Sequence, residues 1–128
     1  MIRHYAAITD EKFSGVAIDF DEDQQILKAV RDGGERLTME ELSTGRRDQL
    51  FLALRLAAIQ VHIEKAKPLP IIVDDILIQF DDAAAAATFK VLAGLSLRMQ
   101  VIFLTHHEHL LRVAEAAISH TAYKAYSL

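Results

Sequence analysis

Cysteine is absent from the 128-residue chain, which excludes a disulfide framework and a thiolate metal site and suits a reducing compartment. Long apolar runs are missing too. Nothing in the sequence is apolar over enough residues to span a bilayer, and Met1-Ile2-Arg3-His4-Tyr5 leads into no signal-peptide core, so a cytoplasmic location is expected and no membrane partner. Nor is there a basic excess. The formal net charge is −4, whereas free-standing nucleic-acid binders usually carry a positive surplus that releases counterions from phosphate. Arg46, Arg47 and Arg55 could still form a local patch, which a solvated helix face explains equally well. Finally, no glycine is followed by lysine, so the G-x-x-x-x-G-K-[ST] phosphate loop is missing. Internal repeats, low-complexity runs and linkers are not evident.

What is present reads as one folded domain over 1–128, with 52% hydrophobic and 25% charged residues. The N-terminal third reads as strands. Val16, Ile18 and Phe20 alternate with Ala17 and Asp19, the period of a half-buried strand, and Ile26 to Val30 follows the acidic turn Asp21-Glu22-Asp23. Asp32-Gly33-Gly34 marks a further tight turn before Arg36-Leu37, which completes an antiparallel meander. Thr38-Met39-Glu40-Glu41 fits a capping box, in which Thr38 and Glu41 satisfy each other's backbone donors.

Next comes a polar turn, Leu42-Ser43-Thr44-Gly45-Arg46-Arg47-Asp48-Gln49, opening an apolar helix predicted to run from near Gly45 to near Lys67-Pro68. Because it is apolar on nearly every side from Leu50 to Ile59, neighbours should cover it. Its first backbone N–H groups lack intrahelical partners and point at an approachable end. Ser43 adds a hydroxyl there, Gly45 allows a ligand close to the backbone, and the helix dipole favours an anion such as phosphate. An ordinary serine cap accounts for the same residues.

Ile71-Ile72-Val73 is a short apolar run bounded by proline, the pattern of a parallel strand buried on both faces, and Val101-Ile102-Phe103-Leu104 repeats it. Asp82 is placed as the cap of an alanine-rich helix reaching about Leu97. A helix over Glu108 to Ala117 and a last strand over Ala122 to Tyr126 follow. The alternation predicts an α/β fold, antiparallel strands first and then parallel strands with flanking helices. Asp74 and Asp75 end the first parallel strand, where open α/β sheets place their ligands. Two adjacent carboxylates need compensation, and a divalent cation held through one carboxylate and nucleotide phosphates supplies it. A plain turn-and-cap role is the alternative.

These motifs in this order resemble the C-terminal half of a P-loop NTPase-like ABC ATPase head of the SMC and recombination-repair group, most closely YhaN-type proteins. The resemblance runs from about Phe13 to about Leu111. It implies ATP and Mg²⁺ as cofactors, with Ser43, Thr44, Gly45 and Gln49 in the signature motif that meets nucleotide. It further implies Asp74 as the Walker B aspartate and metal ligand, Asp75 where most ABC ATPases carry the glutamate that polarises water, and Asp81 as the D-loop aspartate. Aspartate at position 75 is one methylene short, which implies slow hydrolysis. Asp81 or Asp82 as a plain helix cap remains the alternative. His106 aligns with the general switch histidine and His107 with the YhaN-type spacing; both are kept and His106 is favoured. A metal site on His106 and His109, spaced to share a helix face, is the rival and lacks a third ligand.

The missing phosphate loop and the missing coiled coil imply a C-terminal lobe, inactive alone, completed by a Walker A lobe. A homodimer, and DNA bound through the complete assembly in DNA repair or chromosome maintenance, follow from the same resemblance. A non-catalytic dimerisation module derived from such an ATPase is the second reading. A receiver-like phosphoacceptor domain is the third, and the mid-chain position of its acidic pair speaks against it.

Overall fold

A computed structural model describes residues 2–128. Helix α1 (Ile2–Ile8) precedes the meander β1 (Phe13–Asp21), β2 (Gln24–Arg31) and β3 (Arg36–Leu37), which forms a three-stranded antiparallel sheet in that order. Then follow α2 (Thr44–Lys65), β4 (Ile71–Asp74), α3 (Asp82–Leu95), β5 (Val101–Leu104) and α4 (Glu108–Ala117), with β4 and β5 paired in parallel. Mixed α/β architecture of this kind is what the hydrophobic periods predict.

Two departures concern the ends of the chain. The N-terminal third is not all strand, because α1 buries Tyr5 and Ile8 on one side against the meander and α2. Its exit is fixed by Thr9, whose hydroxyl donates to the Tyr5 carbonyl at 2.8 Å and accepts from the Phe13 N–H at 3.2 Å. At the other end, 122–126 forms no strand. The segment has no ladder partner among the described residues, and an unpaired strand leaves its backbone groups to water.

The core has two connected parts. Tyr5, Ile8, Phe13, Leu50, Leu56 and Leu92 join α1, the meander, α2 and α3, while Leu77, Phe89, Leu110 and Val113 join α3 and α4; Phe80 and Phe103 touch both. Alanines 84 and 85, each 1% exposed, let α3 lie close against its neighbours. Helix α2 buries Leu50, Ala53, Leu56 and Ala57, yet it is not covered all round: Phe51 and Val61 are exposed on its other flanks. The parallel pair also departs from expectation. Ile71, Val73, Val101 and Phe103 face inward, but Ile72, Ile102 and Leu104 are exposed, so only one face of β4 and β5 is covered. Burial on both faces requires a layer on each, and the described residues cover only one.

Candidate functional site

Parallel register decides what meets what. Asp74 lies opposite Leu104, so the residues that follow each strand, Asp75 and Thr105, emerge side by side. The Asp75 N–H donates to the Leu104 carbonyl at 2.8 Å, and Asp75 adopts a left-handed backbone with φ of 52°. This turn aims its carboxylate at the loop after β5. There the Thr105 hydroxyl donates to Asp75 Oδ1 at 3.0 Å, and the His107 N–H donates to Thr105 Oγ1 at 3.1 Å. His107 Nε2 stands 3.9 Å from the same carboxylate oxygen.

The structure therefore brings Asp75 and His107 together, while His106 is exposed and outside this network. Thr105 was not singled out as a site residue from the sequence. The signal was available, since a parallel pair in which Asp74 and Leu104 are partners must place their successors together. Asp74 itself is exposed, and among the described residues its carboxylate has no hydrogen-bond or ion-pair partner. His109 does not join His106 in a metal site: its Nε2 lies 2.8 Å from Asp82 Oδ1, and the described residues contain no group of three or more His, Asp or Glu arranged to hold a metal.

Asp81, not Asp82, caps α3, accepting the Ala84 N–H at 2.7 Å. Between Asp75 and Asp81 the chain makes a tight turn that buries Leu77 and leaves Ile78 exposed.

At the start of α2, Ser43 is the N-cap and accepts the Arg46 N–H at 3.2 Å, with Thr44 exposed as the first helical residue. Gly45 is needed for a reason the sequence did not disclose. A Cβ at this position would lie 2.5 Å from the Gln79 carbonyl oxygen, so the turn after β4 makes a close approach here. Gln49 is 2% exposed and accepts from Arg46 Nη1 at 2.9 Å. Arg46 also sits 5.8 Å over the Phe13 ring, and its carbonyl accepts the Tyr5 hydroxyl at 3.4 Å. Burial pushes the Tyr5 phenol up to about 12, against the opposing charge of Arg46. The capping box is half formed: the Glu41 carboxylate accepts both the N–H and the hydroxyl of Thr38, which hold it below the usual carboxylate range, while the Glu41 N–H bonds the Thr38 carbonyl.

Beside Ser43 lies an open concavity of about 480 Å³, lined by Phe13, Leu37 and Leu42, by Lys12, Arg31 and Arg46, and by the carboxylate of Glu41. Arg31 is paired with Glu35 at 2.9 Å, so the cations that the helix N-terminus adds to here are chiefly Lys12 and Arg46, with Glu41 opposing them.

No protein-family model matches the sequence, and the comparison with curated proteins finds no match. Solved structures do share the fold. One, from work on ATP-driven dimerization and DNA-stimulated activation of SMC ATPases, matches with a TM-score of 0.66 at 18% identity, over 89% of this chain and 71% of its own. The chain has the fold of part of an SMC head. The SMC head domain from Thermotoga maritima matches at 0.61 with 20% identity over 89% of this chain and 38% of its own. The Smc head of Pyrococcus furiosus, solved with an extended coiled coil and bound to the C-terminal domain of ScpA, matches at 0.64 with 17% identity over 89% and 29%. The chain thus spans well under half of the latter two head structures.

Proposed function

We propose that the chain is the C-terminal lobe of an SMC-like ATPase head, YhaN-like in its motifs, which contributes signature, Walker B, D-loop and switch residues to ATP sites completed by a lobe carrying the phosphate loop. The observation that carries this reading is the junction at the ends of β4 and β5, where a free carboxylate (Asp74), a bonded carboxylate (Asp75) and His107 share one edge of a sheet whose second face is open. Asp74 fits a Mg²⁺ ligand because its carboxylate is exposed and has no partner among the described residues, as an ion shared with nucleotide phosphates requires. When bound, Mg²⁺ neutralises phosphate charge. Asp75 is the residue that orients water, and Thr105 holds one of its oxygens. His107, with His106 beside it on the exposed turn, is the switch residue. Ser43, Thr44, Gly45 and Gln49 form the signature end, where uncapped N–H groups and the Arg46 side receive the phosphates of a second nucleotide.

The open face bearing Ile72, Ile102 and Leu104 is where the phosphate-loop lobe packs, on the same polypeptide or another. The domain extends over 1–128, is cytoplasmic, and serves DNA repair or chromosome maintenance through a complete assembly that contacts DNA. No helix among the described residues is long and apolar enough to cross a membrane. One observation favours a second reading, a dimerisation module without turnover: the short Asp75 side chain is already engaged by Thr105.

Mixing the chain with a purified phosphate-loop lobe, with and without ATP and Mg²⁺, tests the proposal by light scattering on a sizing column. Association that requires ATP and is lost in Asp74→Ala and in Ser43→Arg, with melting of the latter near wild type, is the expected result. Association indifferent to nucleotide would overturn the proposal.

A further inference from the structure

Helix α2 carries a stripe that nothing among the described residues covers. Phe51, Arg55, Ala58, His62 and Lys65 recur at intervals of four and three, so they lie along one side of the helix, and all five are exposed. The stripe runs about 21 Å at the rise of an α-helix. It is cationic in an acidic protein: Arg55 and Lys65 lie on it and none of its five residues is a carboxylate, while the whole chain is at −4. Among the described residues neither Arg55 nor Lys65 has an ion-pair partner.

The opposite chemistry lies earlier in the chain. The β1–β2 hairpin extends past the core, leaving Ile18 56% and Phe20 72% exposed on one face. Its two-residue turn is Glu22-Asp23, both left-handed at φ of 46° and 71°, between the paired Asp21 and Gln24. Asn-Gly would take up this turn with least strain. Instead three consecutive carboxylates, Asp21, Glu22 and Asp23, cap an exposed aromatic, and none has an ion-pair partner among the described residues.

We propose that these two surfaces recognise each other between two copies of the chain: the hairpin tip of one copy docks on the α2 stripe of the next, Phe20 against Phe51 and the tip carboxylates against Arg55 and Lys65. Aromatic contact with flanking opposite charges gives both affinity and orientation. If the two contacts are made reciprocally, a closed dimer results; made one way, they build an open chain. This contact needs no nucleotide and does not use the open face of β4 and β5, so it is independent of the ATPase reading.

Paired charge reversal tests it by sedimentation across micromolar to millimolar concentrations at low salt. One variant carries Arg55→Glu and Lys65→Glu; a second carries Asp21→Lys, Glu22→Lys and Asp23→Lys. Wild type is expected to self-associate, and each variant alone to weaken that association by about tenfold or more, since surface charge pairs are individually small but several act together. An equimolar mixture of the two variants restores association, because both contacts are again complementary, and raising NaCl to about 0.5 M weakens it in every case. Ile72→Glu leaves it unchanged. A mixture that stays monomeric, self-association removed by Ile72→Glu and indifferent to charge reversal, or a wild type that stays monomeric would overturn the proposal. So would a wild type that stays monomeric and binds a single-stranded oligonucleotide through Arg55 and Lys65, which would give the stripe to nucleic acid instead.

Discussion

Gly45→Ala separates two views of the turn that opens α2. On propensity alone, alanine in a helix is favoured over glycine by about 1 kcal/mol, less near a terminus. The structure reverses the sign, because the new methyl would lie 2.5 Å from the Gln79 carbonyl oxygen. Backbone cannot swing aside as a flexible side chain can, so either the start of α2 or the 76–80 turn must move. Overpacking of this kind costs about 1–3 kcal/mol, which offsets the propensity gain and leaves a net loss of up to about 2 kcal/mol. For a domain of this size that is a fall in melting temperature of up to about 8 °C. Gly94 supplies the internal control: it lies within α3 with nothing within 4 Å of an added Cβ. Gly94→Ala should therefore gain up to about 1 kcal/mol. Thermal and urea unfolding of both variants, followed by circular dichroism, gives the comparison. If the two substitutions shift stability in the same direction, the close approach of Gln79 to α2 is wrong.

The remaining predictions follow from caps, burial and the missing loop. Ser43→Ala and Asp81→Ala each remove the side-chain acceptor at the start of a helix and should cost about 1 kcal/mol in urea titrations. Asp82→Ala should cost less than about 0.5 kcal/mol, since its partner among the described residues is His109 and both are exposed. Tyr5 gives a pH signature: between its ordinary value of 10.0 and about 12 the unfolded chain has lost the phenol proton that the folded chain still holds, so stability falls as pH rises through that window. Tyr5→Phe should flatten that slope. The purified chain should show no ATP turnover above background, because the backbone cradle and lysine that hold the β- and γ-phosphates are missing; turnover abolished by Asp74→Ala would contradict this.

How far the chain could be read in advance depended on whether the deciding partner was local. The meander, both parallel strands and the helix over Glu108–Ala117 follow periodicity and turn chemistry, which act within a few residues. Helix α1 was missed because it is only seven residues long, and its buried side chains, Tyr5 and Ile8 among them, are held by packing on α2 and the meander. The strand placed at 122–126 failed for the converse reason, since an apolar alternation needs a neighbour to pair with and none is offered. In the site, the residue types at 43–49, 74–75, 81 and 105–107 were legible. Their grouping was not, because whether Asp75 meets His106 or His107 depends on the left-handed turn at Asp75 and on the hydrogen bond of Thr105.

The Gly45 contact also bears on how such a lobe would work. Under the proposed reading, Ser43 and Asp75 serve different nucleotides, one across a dimer interface and one on their own side. Nothing in the sequence says that these ends of the chain feel each other. Yet the first turn of α2 rests on the carbonyl of Gln79, inside the short turn joining Asp75 to Asp81, and Asp81 in turn fixes the start of α3. Any tilt of α2 large enough to admit a phosphate at Ser43 must push on that turn, and the turn has little slack, being held at one end by the Asp75 bond to Leu104 and at the other by the Asp81 cap. A packed junction with two arrangements can carry coupling between sites, and a soft loop cannot. The requirement for glycine at position 45 is therefore a requirement for contact between the signature turn and the carboxylate edge, and a side chain there would disturb both even before any nucleotide is bound.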